Sequence, residues 1–322
     1  MDIAAAVPEL AGLGRTAVRL HPRPGTPGVD DSSVGGPLLW PRGEAWPRCD
    51  ASHETFSVHA VADVRLRRRI LTEAWGRPQQ PGTNLLTPDE TAVLDRISGN
   101  GYGAPDGPVP MLPVLQLYAR DAPDAGFPPG SDLLQLLWCP FGHGDDYLPA
   151  IRIRWRTVTE IGVPSDDRPE PAYAEDDFVP APCVLHPEPV VEYPPGHLLP
   201  EEVVARLDTW ARAAGHRPFL YSQALSVAPG WKAGGWPAPW TFRDPEPVVC
   251  GCGAPMDALL TADSGEWQGE EGLSWRPVEE PVSGSSYPPA GEPTLVTMGR
   301  GYTMQIYRCP RSAEHPPQAT MQ

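Results

Sequence analysis

Proline sets the limits on this fold. The chain carries 44 prolines in 322 residues, more than twice the usual share of about 5%. Each one fixes φ and removes a backbone donor. Helices are therefore short, and strands and ordered loops dominate. Tryptophan and glycine accompany proline in Gly35-Gly36-Pro37-Leu38-Leu39-Trp40-Pro41 and Gly43-Glu44-Ala45-Trp46-Pro47. The glycine pair allows positive φ or close backbone approach. Such a stretch reads as an ordered, tryptophan-packed loop and not as a linker.

A chain of this length suggests about two domains. At 40% hydrophobic and 20% charged residues it is globular and not disordered. The net charge of -16 repels phosphate backbones, which argues against broad nucleic-acid binding. The dense basic run at Arg65–Arg69 reads as the solvated face of a helix. No stretch approaches the roughly 20 apolar residues of a membrane span. The opening MDIAAAVPELAG lacks the basic and apolar regions of a signal peptide. A cytoplasmic location, without membrane contact, is the expectation. Thiols stay reduced there, so the six cysteines are candidates for metal binding or burial before disulfides.

Residues 2–14 form a short helix broken near Pro8, and Thr16–Leu20 a strand. Residues 62–75 and the stretch opened by Thr87-Pro88-Asp89-Glu90 read as helices. In the second, Thr87 and Glu90 make a capping box, Val93, Leu94 and Ile97 a buried stripe, and Gly99 the stop. Both belong to a helical insertion at 62–98. Strands follow at 111–119, 132–138 and 150–157, the last with Ile151, Ile153 and Trp155 on one face and arginines on the other. Residues 163–182, acidic and proline-rich, read as a surface connection, and 183–198 as irregular. Residues 200–214 have helical spacing, acids in the first turn and Gly215 beyond the end. Phe219-Leu220-Tyr221 reads as the start of a second block of strands.

That second block echoes the first. Gly234-Gly235-Trp236-Pro237 with Trp240 matches the earlier Gly-Gly-Pro and Trp-Pro run. Cys250-x-Cys252 stands where Cys49-x3-His53 stood. Tyr307-Arg308-Cys309-Pro310 with His315 matches Leu137-Trp138-Cys139-Pro140 with His143. The order of features predicts an α+β, β-rich fold of two related halves, an internal duplication, with the helical insertion in the first. The halves are residues 1–198 and 199–322.

Thiols and imidazoles dominate the chemistry. Cys49, His53, Cys139 and His143 offer two thiolates and two imidazoles, a full tetrahedral zinc set with no place for water. Cys250, Cys252, Cys309 and His315 form a second set, in which the glycines beside Cys250 and Cys252 let amides turn toward sulfur. Two structural zinc ions are expected at most. The alternatives are small buried cysteines in tight turns and surface or capping histidines. Cys183-x2-His186 has ligand-like spacing but no second pair, so a buried thiol is the better reading. The phosphate loop GxxxxGK[ST], HExxH and GxSxG are all missing. The glycine-rich 99–103 and the paired acids Asp145-Asp146 and Asp176-Asp177 read as solvated loops. A Cys/His nucleophilic pair stays open, since such partners meet only in the fold.

Gly35-Gly36-Pro37-Leu38-Leu39-Trp40-Pro41, Leu112-Pro113-Val114-Leu115-Gln116-Leu117-Tyr118 and the late stretch Tyr302–Tyr307 resemble the bacterial YwqG-like family of unknown function. The order GG-P, WP, C, LQLYA, LLWCP is also similar to the N-terminal half of the programmed-cell-death-two family, zinc-containing proteins linked to chaperoning a ribosomal protein. His53 and His143 stand where that pattern favours cysteine, and the helical insertion is extra. The resemblance implies a duplicated β-rich fold and no established catalysis. The reading that follows is a binding or chaperone-like protein with a protein or peptide partner. Trp40, Trp46, Trp236 and Trp240 are candidates for its groove, against a bland role in core packing. The alternative is an enzyme with a cleft between the halves, acting in a specialised-metabolite pathway.

Overall fold

The computed structural model describes residues 3–79, 82–99, 101–103, 105–216, 220–240, 244–267, 275–280 and 286–322. It is mixed helix and sheet. Among the described residues, two six-stranded antiparallel sheets carry the architecture. The first has the order Arg23–Pro24, Cys183–Val184, Ser33–Val34, Leu112–Tyr118, Leu133–His143, Leu148–Arg156. The second has the order Glu188–Glu192, Arg15–Arg19, Lys232–Gly234, Asp257–Asp263, Thr303–Arg308, Gln318–Met321. Arg15–Arg19 and Glu188–Glu192 thus pair in the sheet otherwise built from strands beyond residue 198.

The sheets share one hydrophobic core. Leu134, Leu136 and Trp138 of the first meet Ala233, Leu260 and Ile306 of the second, and Trp231 just before its third strand, in one cluster of buried side chains. The Trp138 and Trp231 rings lie 6.3 Å apart. Strand Leu133–His143 is buried along almost its whole length, as its unbroken apolar run requires for a central strand covered on both faces.

Each sheet carries a buried glutamine that accepts from a loop amide. Gln116 Oε1 accepts the Leu39 amide at 2.7 Å, and Gln305 Oε1 accepts the Ala238 amide at 3.0 Å. Each ties the tryptophan-rich loop to its sheet. A register shift falls between Pro113 and Leu115 in one sheet and between Ala258 and Leu260 in the other. Gly35, at φ 65, runs so close to the 180–182 loop that a Cβ there would lie 2.8 Å from the Ala181 carbonyl.

The helices fall where the spacing puts them, at Val61–Trp75, Pro88–Gly99 and Glu201–Ala213. The capping box forms: the Thr87 amide donates to Glu90 Oε2 at 2.8 Å and the Glu90 amide to Thr87 Oγ1 at 3.2 Å. Of the expected stripe only Ile97 is fully buried. Ile3–Ala6 is a short helix before Pro8. No helix among the described residues is long and apolar enough to cross a membrane.

Several expectations are corrected. Tyr221–Leu225 is a π-helical turn and not a strand, with the Tyr221 hydroxyl donating to the Pro194 carbonyl at 2.6 Å; Phe219 lies outside the described residues. Residues 163–182 are not merely a surface connection. Tyr173–Glu175 pairs with Val58–Ala60, and the buried Glu175 carboxylate accepts the Phe56 and Ser57 amides at 2.7 and 2.9 Å. The interval 183–198 supplies two strands, Cys183–Val184 and Glu188–Glu192. Asp176 is not solvated: it lies 3.2 Å from His59 and pairs with Arg67. The arginine run is not a free helix face either, since Arg68 donates to the Val179 and Asp176 carbonyls at 2.6 and 3.1 Å.

The second sheet also holds buried charge that local sequence gives no sign of. Lys232 and Glu192 are both fully buried and bonded at 2.5 Å. Glu192 further accepts the Ala228 and Trp236 amides at 2.8 Å each. Every oxygen of this carboxylate is therefore used, which is what makes a buried ion pair tolerable. Beside it, Arg19 donates to the carbonyls of Pro229, Trp275 and Glu266.

Candidate metal centres

Two Cys/His clusters assemble, each from four side chains whose ligand atoms all lie within 4.8 Å of one another. Each could hold a metal ion. They are Cys49, His53, Cys139 and His143, and Cys250, Cys252, Cys309 and His315.

The first cluster grows out of strand Leu133–His143. Cys139 and His143 sit on its final turn of backbone, where the pairing with Leu148–Arg156 slips between Trp138 and Gly142. A spacing of four residues puts both on one side of the strand. Gly142 has to be glycine, because a Cβ would sit 2.6 Å from the Tyr147 ring. Cys49 ends the short strand Arg48–Cys49, held by Val109–Pro110, and the His53 loop is tied down by the Glu54 amide donating to the Gly142 carbonyl at 3.1 Å. Residues distant in sequence are thus joined by strand pairing.

The imidazoles are poised as ligands. His143 Nδ1 lies 3.0 Å from the Ser52 carbonyl, which can only accept, so Nδ1 carries the proton. Nε2 is left with a lone pair facing Cys49 Sγ at 3.6 Å. A backbone carbonyl commonly fixes the far nitrogen of a metal-binding histidine in this way. His53 Nε2 is buried and has no hydrogen-bond partner. An orphaned buried nitrogen is costly unless something fills its lone pair. Burial lowers the pKa of both rings, and His143 lowers that of His53 further, so both are neutral at pH 7. Cys139 is fully buried. Burial pushes its thiol well up, against the lowering effect of the Phe141 amide.

The second cluster is a turn facing a strand end. In Cys250-Gly251-Cys252-Gly253 the Cys250 carbonyl accepts the Gly253 amide at 2.8 Å, and the Cys250 amide donates to the Ala254 carbonyl at 2.9 Å. Gly253, at φ 81, makes the turn possible. Cys309 follows strand Thr303–Arg308. His315 Nδ1 lies 3.2 Å from Cys309 Sγ and 3.5 Å from Cys250 Sγ, and the Cys252 and Cys309 sulfurs are 3.6 Å apart. Burial raises the Cys309 pKa, but the His315 ring and the Arg311 and Ser312 amides outweigh it and bring the thiol down to about 6. The Cys252 amide lowers Cys250, while burial and the neighbouring thiols raise it and prevail.

One local motif recurs. The amide two residues on points at the sulfur in Cys139 (Phe141), Cys250 (Cys252) and Cys309 (Arg311). Amide-to-sulfur contacts of this kind stabilise a thiolate and orient a sulfur ligand. Donor chemistry, orphaned nitrogen and turned amides all fit a metal ion.

The other candidates fall elsewhere. Cys183 is fully buried, donates to the Pro293 carbonyl at 3.3 Å, and is pushed up to about 12 by burial. It is a core thiol, and His186 is exposed. Trp40 is buried against Leu38, Met111 and Leu137, and its ring meets Trp46 at 4.9 Å. Trp46 donates to the Met111 carbonyl at 2.8 Å. Trp236 lies under the Arg15 guanidinium at 3.6 Å, and Trp240 is half-buried. Sequence reasoning missed Ser52, because a backbone carbonyl leaves no signature in residue type.

A scan of protein-family models and a search of curated proteins find no match to the chain.

Proposed function

We propose that this chain is a zinc-stabilised cytoplasmic binding or chaperone-like protein, with two related β-rich halves each pinned by one structural zinc ion and a protein or peptide as its partner. The observation that carries the metal reading is the pair of closed four-ligand sets. Zn–S of about 2.3 Å and Zn–N of about 2.0–2.1 Å place the ligand atoms of a tetrahedral site roughly 3.4–3.8 Å apart. Cys49 to His143 at 3.6 Å in the first cluster, and 3.6, 3.5 and 3.2 Å in the second, match such edges or fall just inside them. They are far longer than a disulfide. Soft thiolates with imidazole favour zinc over magnesium or calcium.

Four protein ligands leave no position for substrate, and closed sites of this kind are structural. The similar strand order, the paired register shifts, and Gln135 and Gln305 on the fifth strand of each sheet support a duplication. Together with the short motifs above, they support kinship with the YwqG-like family. Metal analysis of the purified chain tests the first part, and metal-dependent co-purification of one defined protein from the host tests the second.

A second reading, an enzyme acting at the C-terminal centre, draws on the exposed Cys252 and a cavity of about 520 Å³ lined by Cys250, Cys252 and His315. Cobalt substitution separates the two. A closed site keeps its tetrahedral spectrum when azide is added, whereas an open site shifts it.

A further inference from the structure

The geometry points to a binding site for a small amphiphilic anion, one carboxylate or phosphate on an apolar body, in the cavity between helix Val61–Trp75 and the 179–182 and 287–295 segments. The cavity holds about 440 Å³, ample for a bicyclic ring with one acidic group. It is independent of the metal centres.

Its two walls differ in chemistry. Arg65, Arg68 and Arg69 line one side, against Glu73 as the one acidic lining residue described. Positions 65, 68 and 69 share a helix face by their spacing of three and four. The other side is apolar: Pro180, Pro182, Pro288 and Leu295 with the Tyr287 ring. In a chain of net charge -16, a basic hollow backed by proline is not a generic surface.

The arginines keep positive charge to offer. Arg68 spends its guanidinium on neutral acceptors, the carbonyls of Val179, Asp176 and Leu295. The nearby Asp176 carboxylate is taken by Arg67 and His59. Arg65 meets Glu170 at the exposed rim, with 55% of its own side chain accessible. Arg69 is exposed and has no side-chain partner among the described residues. An entering anion would therefore find Arg69 free, Arg65 exchangeable and Arg68 held rigid behind them. Guanidinium forks suit carboxylate and phosphate alike.

Titration calorimetry and amide chemical-shift mapping on the full chain test the site, with 1-naphthyl phosphate, 2-naphthoate, 2-naphthol and inorganic phosphate as probes. The naphthyl anions should bind, and 2-naphthol and inorganic phosphate should bind about tenfold more weakly or worse. Shifts should centre on residues 65–73, 179–182 and 287–295. Preference between the two anions assigns the acidic group. Arg69→Gln should weaken the anions and leave 2-naphthol unmoved, and Thr72→Trp, which fills the cavity from the exposed helix face, should weaken all probes. Equal binding of 2-naphthol and the anions, or shifts mapping elsewhere, would overturn the proposal. So would unchanged anion affinity in both variants, or no binding at millimolar probe.

Discussion

The two clusters answer one problem at different depths. In the first, Cys49 and Cys139 are buried at 5% and 0% exposure, and two histidines complete the set. In the second, three cysteines and one histidine gather around an exposed turn, with Cys252 open to solvent. Their sheets differ in the opposite sense. The first sheet is bound through neutral glutamines: Gln135 donates to Gln116 at 2.9 Å and Gln116 to the Val29 carbonyl at 2.7 Å. The second buries Lys232, Glu192, Arg19 and Glu266. The deep centre thus lies on the sheet tied by the Gln135–Gln116 pair, and the shallow centre on the sheet that buries the Lys232–Glu192 ion pair. Two sheets of one molecule can be secured by different physics.

The largest effect should come from metal removal. Structural zinc contributes roughly 10–16 kcal/mol at neutral pH, against a net domain stability of about 5–15 kcal/mol. A strong chelator should therefore unfold the chain, and the shallow centre should release its ion first. Stopped-flow release into a zinc-sensitive dye should show two phases. Cys252→Ser should abolish the fast one and Cys139→Ser the slow one. A single phase untouched by either variant would erase the distinction between the centres.

Next in size is the charge buried in the second sheet. Lys232→Met strands Glu192 without its partner and should cost about 3–5 kcal/mol in urea unfolding. The comparable change in the first sheet, Gln116→Leu, leaves the Leu39 amide unpaired and should cost about 1–3 kcal/mol. Equal losses would mean that the ion pair matters no more than the amide pair.

The same contrast predicts a pH dependence. Burial pushes the Glu266 carboxyl up to about 8, against the Trp231 amide that donates to it and the Arg19 guanidinium 3.7 Å away. The ordinary glutamate value is about 4.3. The folded state thus holds a proton that the unfolded state has released. The stabilisation is complete below the ordinary value and is lost as pH rises through about 8, at up to about 1.4 kcal/mol per pH unit. Glu266→Gln should flatten stability between pH 5 and 8. A slope unchanged by the variant would show that Glu266 does not titrate there.

The smallest effect belongs to the helical insertion, which has no counterpart in the second sheet. Thr87→Ala removes one side of the capping box and should cost about 1 kcal/mol by thermal melting. A loss of several kcal/mol would mean that the insertion is not the peripheral element its burial implies.

Much of this was legible in the sequence, wherever the deciding interaction is local. Helix Pro88–Gly99 is announced by Thr87 and Glu90, strand Leu133–His143 by its apolar run, and the ligands by residue type and spacing. What was not legible depends on partners far away. Asp176-Asp177 reads as solvated because nothing nearby reveals that His59 and Arg67 lie against Asp176. Lys232 carries no mark of the Glu192 that meets it, and Arg15–Arg19 none of the sheet it joins. Phe219-Leu220-Tyr221 reads as the start of a strand, yet Tyr221 opens a helical turn with its hydroxyl on the Pro194 carbonyl. Tertiary contacts overrode local propensity in each case.

The central claim is that one ion pins each half, and metal content of the intact chain tests it most directly. Native mass spectrometry with elemental analysis should find two zinc ions per chain, falling to one in Cys139→Ser and to one in Cys250→Ser. A folded wild-type chain carrying no metal, and melting at the same temperature with and without chelator, would contradict the account.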